Sequence, residues 1–337
     1  MHDDPARRWR NRPEGSNWGE FGEDDELGRL NLITAERVLA AAREIREGLS
    51  FCLSLPLNLP GGGHGSRQPP KLFATGEPDH PRMNHWMQEY PGISDILCDD
   101  AVVLTLQYST QWDGLCHVGH KFDADGDGVD EPVYYNGWRA GVDVKGHDEG
   151  GARRLGIQTY AEKGVQTRGV MFDFRRHFGP ERRAVSYDDL MRVIEADRIE
   201  ISPGDIMVLH SGYGQTLVDF AGNPDPTVLR TLGAELDGGD ARLLQWVSDS
   251  GVAAIAADTA AVETFRRPKG AGPTLKPLLP LHELCLFKLG VPLGEYWYLT
   301  PLAEALAARG RTGFMLTAPP LRLPGAVGSP VTPIATI

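Results

Sequence analysis

Asp240-Ala241-Arg242-Leu243-Leu244-Gln245-Trp246-Val247-Ser248-Asp249-Ser250-Gly251-Val252-Ala253-Ala254-Ile255-Ala256-Ala257 is the stretch that decides the fold class. Leu243, Leu244 and Val247 recur at the spacing of one helical face, and Gly251 can stop that helix. The run Val252–Ala257 that follows is apolar throughout and reads as a strand. The same order of helix, turn and strand recurs on either side. Ser186 with Asp189 caps a helix carrying Leu190, Val193 and Ile194, followed by the strand Asp205–Leu209. Thr300-Pro301 opens a third helix, which ends at Gly310 before Phe314-Met315-Leu316. Three such units predict an α/β protein with a mixed sheet.

Residues 34–47 predict a further helix, capped by Thr34, with Val38, Ala41, Ala42 and Ile45 on one face and Gly48 at its close. The first thirty residues are polar and rich in Asn, Trp and Gly. No later linker divides the chain, so the expected organisation is an irregular arm over 1–33 and one domain over 34–337. Residues 58–95 mix Pro, His and Gly without a period and read as a long loop, a feature usually tied to function.

Composition narrows the function. The 337 residues are 41% hydrophobic and 24% charged, as in a soluble globular protein able to bury a sizeable core. The net charge of −12 and short basic pairs such as Arg153-Arg154, Arg175-Arg176 and Arg266-Arg267 argue against a nucleic-acid footprint. No apolar run approaches the roughly 20 residues that span a bilayer, and the first eight residues lack the apolar core of a secretory signal. Cys52, Cys98, Cys116 and Cys285 form no Cys-x-x-Cys pair, which is cytoplasmic usage.

The chemistry-bearing residues begin with Ser109-Thr110-Gln111-Trp112-Asp113-Gly114-Leu115-Cys116-His117, directly after the apolar run Ala101–Leu106, which reads as a strand. Asp113 and His117 suit a divalent metal with a nearby base, or an acid–base dyad. The plainer alternative is that Asp113 caps a helix running through His117. Trp112 reads either as an apolar wall for a ring substrate or as a core residue anchoring the turn. His120 adds a weaker His-x-x-His. Further on, His282 sits at a helix start after Pro280, and Glu295 follows the glycines at 290 and 294. Leu286 stands four residues after His282, so a zincin His-Glu-x-x-His is absent. Arg168 is open to two readings, an anion contact or a structural tie.

Asp123-Ala124-Asp125-Gly126-Asp127-Gly128-Val129-Asp130 matches the first half of a calcium loop, but Tyr134 stands where a bidentate Glu is needed. Ser211, in His210-Ser211-Gly212-Tyr213-Gly214, has Leu209 where a nucleophile elbow has its first glycine. Neither a dinucleotide fingerprint nor a phosphate loop occurs.

A set of modest motifs then occurs in order. These are Phe21-Gly22-Glu23-Asp24-Asp25-Glu26-Leu27-Gly28-Arg29-Leu30-Asn31-Leu32-Ile33-Thr34, Thr110-Gln111-Trp112-Asp113, Tyr135-Asn136-Gly137, Thr167-Arg168-Gly169-Val170, Pro203-Gly204-Asp205 and Gly290-Val291-Pro292-Leu293-Gly294-Glu295. Over residues 17–310 the chain resembles the longer branch of the cyclase-like metal-dependent hydrolases, which include bacterial kynurenine formamidase and isatin hydrolase. The resemblance implies a mixed-sheet α/β fold of the kynurenine formamidase type in a homo-oligomer, a dimer or tetramer. It also implies metal-dependent hydrolysis of an amide, lactone or ester in a small cyclic or aromatic substrate.

The family signature His-x-Gly-Thr-His-x-Asp-x-Pro-x-His falls on residues 107–117. Asp113 thereby inherits the role of metal carboxylate and His117 that of general base, with His282 and Glu295 as late ligands. Gln107 and Gln111 stand where the family has histidines, so Gln111 could offer only a neutral oxygen. Manganese or zinc is the expected ion, with magnesium an alternative for so oxygen-rich a set. The departures keep two rivals open: a metal-free lyase or cyclase using Asp113 and His117, and a ligand-binding member without turnover.

Overall fold

The computed structural model describes residues 8–63, 65–265 and 276–337. The first seven residues, read above for a leader, and the pair Arg266-Arg267 lie outside them. Nine strands form the main sheet: β1 (Ser50–Cys52), β2 (Gln111–Asp113), β3 (Gln166–Asp173), β4 (Ile206–His210), β5 (Ala254–Ala257), β6 (Leu293–Glu295), β7 (Gly313–Thr317), β8 (Gly328–Pro330) and β9 (Ile334–Thr336). Their order across the sheet is β1-β9-β7-β3-β4-β5-β6-β2-β8. The middle four, β3 to β6, are parallel, and antiparallel strands flank them on both sides. Every residue of β4 and β5 is buried, which is why these runs carry apolar side chains without alternation.

The helical crossovers follow the predicted signals closely. Ser186 and Asp189 form a reciprocal capping box on the helix Tyr187–Asp197, which buries Leu190 and Val193. The helix Ala241–Ser250 starts from Asp240, buries Leu243 and Val247, and ends at Gly251 in a left-handed conformation. Thr300–Ala307 leads into β7. The helix predicted over 34–47 is shorter, Ala35–Ala42: Thr34 caps it, but Ile45 ends up exposed, so only Val38 and Ala41 engage the core.

Three local readings are corrected. The run Ala101–Leu106 does not lead into the sheet; Asp100–Val103 pairs with Lys71–Ala74 in a separate two-stranded ribbon. Gln111–Asp113 is itself the strand, so Asp113 caps no helix through His117. The segment 58–95 is also more ordered than a loop. It contributes to that ribbon and to two smaller antiparallel pairs, Gly76–Glu77 with His80–Pro81 and His85–Trp86 with Ile96–Leu97. Most of its residues are exposed, while Leu59 is buried and Pro60, Gly61 and Gly63 line a cavity together with Glu263 and Tyr296.

The N-terminal segment is tied down by particular anchors. Trp18 is fully buried and donates its indole N–H to the Phe287 carbonyl at 2.8 Å. Arg29 N–H reaches the Gly290 carbonyl at 2.7 Å. Gly28 and Gly290 approach so closely that a Cβ on Gly28 would lie 2.1 Å from the Gly290 oxygen.

Candidate metal centre

Alternation along β2 turns Gln111 and Asp113 to one face of the sheet and Trp112 to the other. In the β2–β6 ladder Gln111 stands opposite Glu295, so the two share that face. On the far face Trp112 packs edge-on against Trp297, with ring centroids 5.1 Å apart, and donates its indole N–H to the Ala318 carbonyl at 2.8 Å. Gly294, opposite Trp112, makes this possible: a Cβ there would lie 2.8 Å from Trp297 Nε1 and 3.1 Å from the Trp112 ring. Trp112 is therefore a core anchor, the second of its two readings, and not a wall of a substrate pocket.

His282 arrives from the crossover between β5 and β6, in a helical turn begun by Pro280 that continues as π-helix over Glu283–Leu289. Wide turns of this kind are frequent at functional sites. Glu263 fixes the imidazole. Its carboxylate accepts from His282 Nδ1 at 2.7 Å and from the backbone N–H groups of His282 at 2.8 Å and Leu281 at 3.1 Å. That leaves Nε2 directed at Glu295 Oε1, 3.6 Å away. Burial alone would depress the His282 pKa. The hydrogen bonds and charges of Glu263 and Glu295 outweigh it and push the group up to about 10. The Glu295 carboxyl is held above its ordinary range by burial first and by the neighbouring Asp113 charge second.

Gln111 closes the cluster. Its amide Nε2 donates to Asp113 Oδ1 at 3.1 Å and to Glu295 Oε2 at 2.9 Å. Gln111 Oε1 and Asp113 Oδ2 are buried with no partner. An orphaned buried polar atom costs about 1–3 kcal/mol, so two together in a pocket of buried carboxylates mark a place built for something more. Ligand atoms of Asp113, His282 and Glu295 all lie within 4.8 Å of one another. Two carboxylates, an oriented imidazole and a spare amide oxygen are a donor set that fits a divalent cation, whose charge would offset theirs. His117 sits at the rim, 22% exposed, with Nε2 3.7 Å from Asp113 Oδ1. The Gln107 amide lies against Gly328, the strand neighbour of Asp113 on β8.

The structure thus brings together Gln111, Asp113, His117, His282 and Glu295. Glu263 was missed by sequence reasoning. Its one signal is an acid a few residues beyond the apolar run Val252–Ala257, after Asp258, and no motif spacing ties it to His282.

The remaining candidates have other occupations. His120 pairs with Glu283 at 3.2 Å, away from the cluster. Arg168 grips buried Asp205 with two hydrogen bonds of 3.1 and 2.6 Å, which makes it a tie between strand and turn. Ser211 Oγ donates to Asp258 at 2.6 Å and has no histidine partner, while the adjacent His210 bonds Asp173 and Thr300. Asp123, Asp125 and Asp127 do converge. Their oxygens also accept from backbone N–H groups of the same turn, and Arg139 brings a cation to Asp125 at 3.0 Å and Glu131 at 3.3 Å.

The model of the Cyclase family matches residues 51–264 of this chain. A crystal structure described as a novel cyclase is 31% identical, with a TM-score of 0.77, and the match covers 96% of this chain and 100% of that one. The chain belongs to the cyclase family. More distant folds also superpose on this cyclase-family chain. An isatin hydrolase bound to the product analogue thioisatinate is 15% identical with a TM-score of 0.55, covering 90% of this chain and 99% of that one. Isatin hydrolase A from Ralstonia solanacearum is 17% identical with a TM-score of 0.53, covering 90% and 97%. At such identities the likeness shows the fold alone. No curated protein sequence matches the chain. Among the described residues, no helix is long and apolar enough to cross a membrane.

Proposed function

We propose that this chain is a metal-dependent hydrolase that opens an amide, lactone or ester bond in a small cyclic or aromatic substrate, in the cytoplasm. The observation that carries the reading is the convergence of Asp113, His282 and Glu295 around the unpartnered oxygens Gln111 Oε1 and Asp113 Oδ2. Asp113, His282 and Glu295 would hold one divalent cation, manganese or zinc, or magnesium, with Gln111 Oε1 as a neutral fourth donor. Such a cation, when bound, lowers the pKa of water toward neutrality and polarises a carbonyl. Glu263 keeps a proton on His282 Nδ1, so that Nε2, which faces Glu295, is the nitrogen that would give up its proton to a cation. His117, at the rim and beside Asp113, takes the proton of the attacking water as the water oxygen bonds to the carbonyl carbon. It then delivers that proton to the nitrogen or oxygen whose bond to carbon breaks.

A second reading has one observation behind it. Gln111 Nε2 already bridges both carboxylates, where a cation would otherwise stand, as a metal-free lyase or cyclase using Asp113 and His117 would allow. Elemental analysis of the purified chain, followed by a panel of lactones, formamides and cyclic imides, separates the two. We expect one transition-metal ion per chain, lost together with hydrolysis in Asp113→Ala. Turnover that survives prolonged chelation, or an Asp113→Ala chain that keeps both metal and activity, would sink the hydrolase reading.

A further inference from the structure

The cavity lined by Glu263 and Tyr296 has a volume of about 530 Å³. That is the size of a small-molecule site, within the roughly 300–1,000 Å³ of ligand pockets. It adjoins the metal centre on two sides of the chain's logic: Glu263 orients His282, and Tyr296 follows Glu295. Pro60, Pro226, Leu229 and Phe265 give it apolar walls that suit a ring. Apart from Glu263, none of its polar groups has a part in the hydrolysis described above.

Those polar groups are mostly donors. Arg182 and Arg230 both line the cavity. Arg182 Nη2 donates to Glu235 Oε2 at 3.2 Å, which occupies one N–H of a guanidinium that carries five. The Arg182 side chain is 39% exposed, so the rest of its fork is open to a ligand. Tyr213 and Tyr296 add two phenols. Burial pushes the Tyr213 hydroxyl up to about 12 and holds Tyr296 above its ordinary range, so both keep their protons. Glu263 is committed to His282 and two backbone N–H groups, which leaves Glu235 as the acceptor. Burial foremost, then the charges of Glu295 and Asp258, outweigh Arg182 and raise the Glu235 carboxyl to about 7.

We propose that this cavity binds an aromatic carboxylate, with the ring between the apolar walls and the carboxylate on Arg182. The inference rests on the hydrolase reading in one respect, that the ligand is its substrate: a ring carrying an anionic group besides the bond that is cut. A planar fork matches a carboxylate with two parallel N–H bonds, which fixes the ring's orientation as well as its charge. The entering carboxylate meets Glu235 beside the same guanidinium. Two carboxylates there favour the neutral form of one, so binding takes up a proton at Glu235. The other ionisable groups around Glu235 are Tyr213, Arg230, Asp258, Glu263 and Glu295. Of these, Asp258 is held by the Ser211 and Gly212 N–H groups and Glu263 by His282, so Glu235 is the group that yields.

Fluorescence titration of the full chain with 2-naphthoate, 2-naphthamide and 2-naphthylmethylamine, one ring with three charges, tests this. At about pH 6, naphthoate should bind roughly tenfold more tightly than the amide. Arg182→Gln should abolish that preference without changing amide binding, and Arg182→Lys should retain part of it. Naphthoate affinity should fall as pH rises through about 7, and Glu235→Gln should keep the binding but flatten the profile. Melting curves confirm that each variant is folded. Asp113→Ala should bind naphthoate like the wild type, so this result and the metal reading can fail separately. Naphthoate binding lost in Asp113→Ala would overturn the proposal by assigning the carboxylate to the metal centre. Equal affinity for acid and amide, or no saturable binding of any of the three, would overturn it as well. Tightest binding of the amine would do so by making Glu235 the anchor.

Discussion

Replacing Glu263 with Gln probes the site through a residue that contributes no ligand atom. The carboxylate accepts three hydrogen bonds, from His282 Nδ1 at 2.7 Å and from two backbone N–H groups at 2.8 and 3.1 Å. A carboxamide keeps one acceptor oxygen, and its NH₂ must then face a donor. At least one charge-assisted hydrogen bond is lost, worth about 1.5–3 kcal/mol, and the imidazole is released from its orientation. Loss of such an orienting partner typically weakens metal affinity about 10–100-fold, which corresponds to roughly 1.4–2.8 kcal/mol. The assay is titration of the chain with Mn²⁺ or Zn²⁺ against a chromophoric chelator, with thermal melts run in parallel. Glu263→Gln should bind at least tenfold more weakly, and Glu263→Asp, which keeps the charge but not the reach, should fall between. If the variant melts lower yet binds metal as tightly as the wild type, Glu263 is only a brace for the 281–282 backbone, and the account of His282 fails.

Gln111→His should move the preference of the site from manganese toward zinc by about tenfold in competitive titration, because an imidazole nitrogen replaces a neutral oxygen. Trp112→Ala should cost about 3–5 kcal/mol in denaturant unfolding, as a core truncation does, and a change in KM without loss of stability would contradict its placement. Arg168→Ala leaves buried Asp205 with Arg37 as its remaining charged partner at 2.7 Å, and should destabilise by about 2–3 kcal/mol with metal binding untouched. The Asp173–His210 pair gives a pH signature. Burial pushes His210 down and Asp173 up, but their 2.8 Å hydrogen bond and the surrounding charges reverse both, leaving His210 raised and Asp173 lowered. The histidine term is complete below its unfolded value and fades as pH rises through its folded one. The aspartate term is complete above its unfolded value and fades as pH falls through its folded one. Their joint contribution is therefore greatest between about pH 4 and 6.5. The Tm gap between wild type and His210→Gln should be widest there and narrow toward alkaline pH; a gap that widens instead would contradict the assignment.

The α/β crossovers were legible because their signals are local. Ser186 with Asp189, Gly251 and Thr300-Pro301 act within a turn of their own helix, and the apolar runs of β4 and β5 need no distant partner to be read. The three-residue strand Gln111–Asp113 escaped reading because it is held by β6 and β8, about 180 and 217 residues further along the chain. Asp113, His117, His282 and Glu295 could be named, and expected to share one site, from residue type and family signature, but the distances among them could not be read.

By itself the sequence determined the helix caps, the buried central strands and the chemical types available for a site, since each depends on near neighbours in the chain. Only the tertiary structure decided that Trp112 faces the core and Gln111 faces Glu295, because the cross-strand register sets which side chains share a face. It alone revealed Glu263 behind His282. The same registers leave Leu72 and Phe73 on opposite, uncovered faces of a ribbon, which no periodicity in a Pro- and Gly-rich segment could convey.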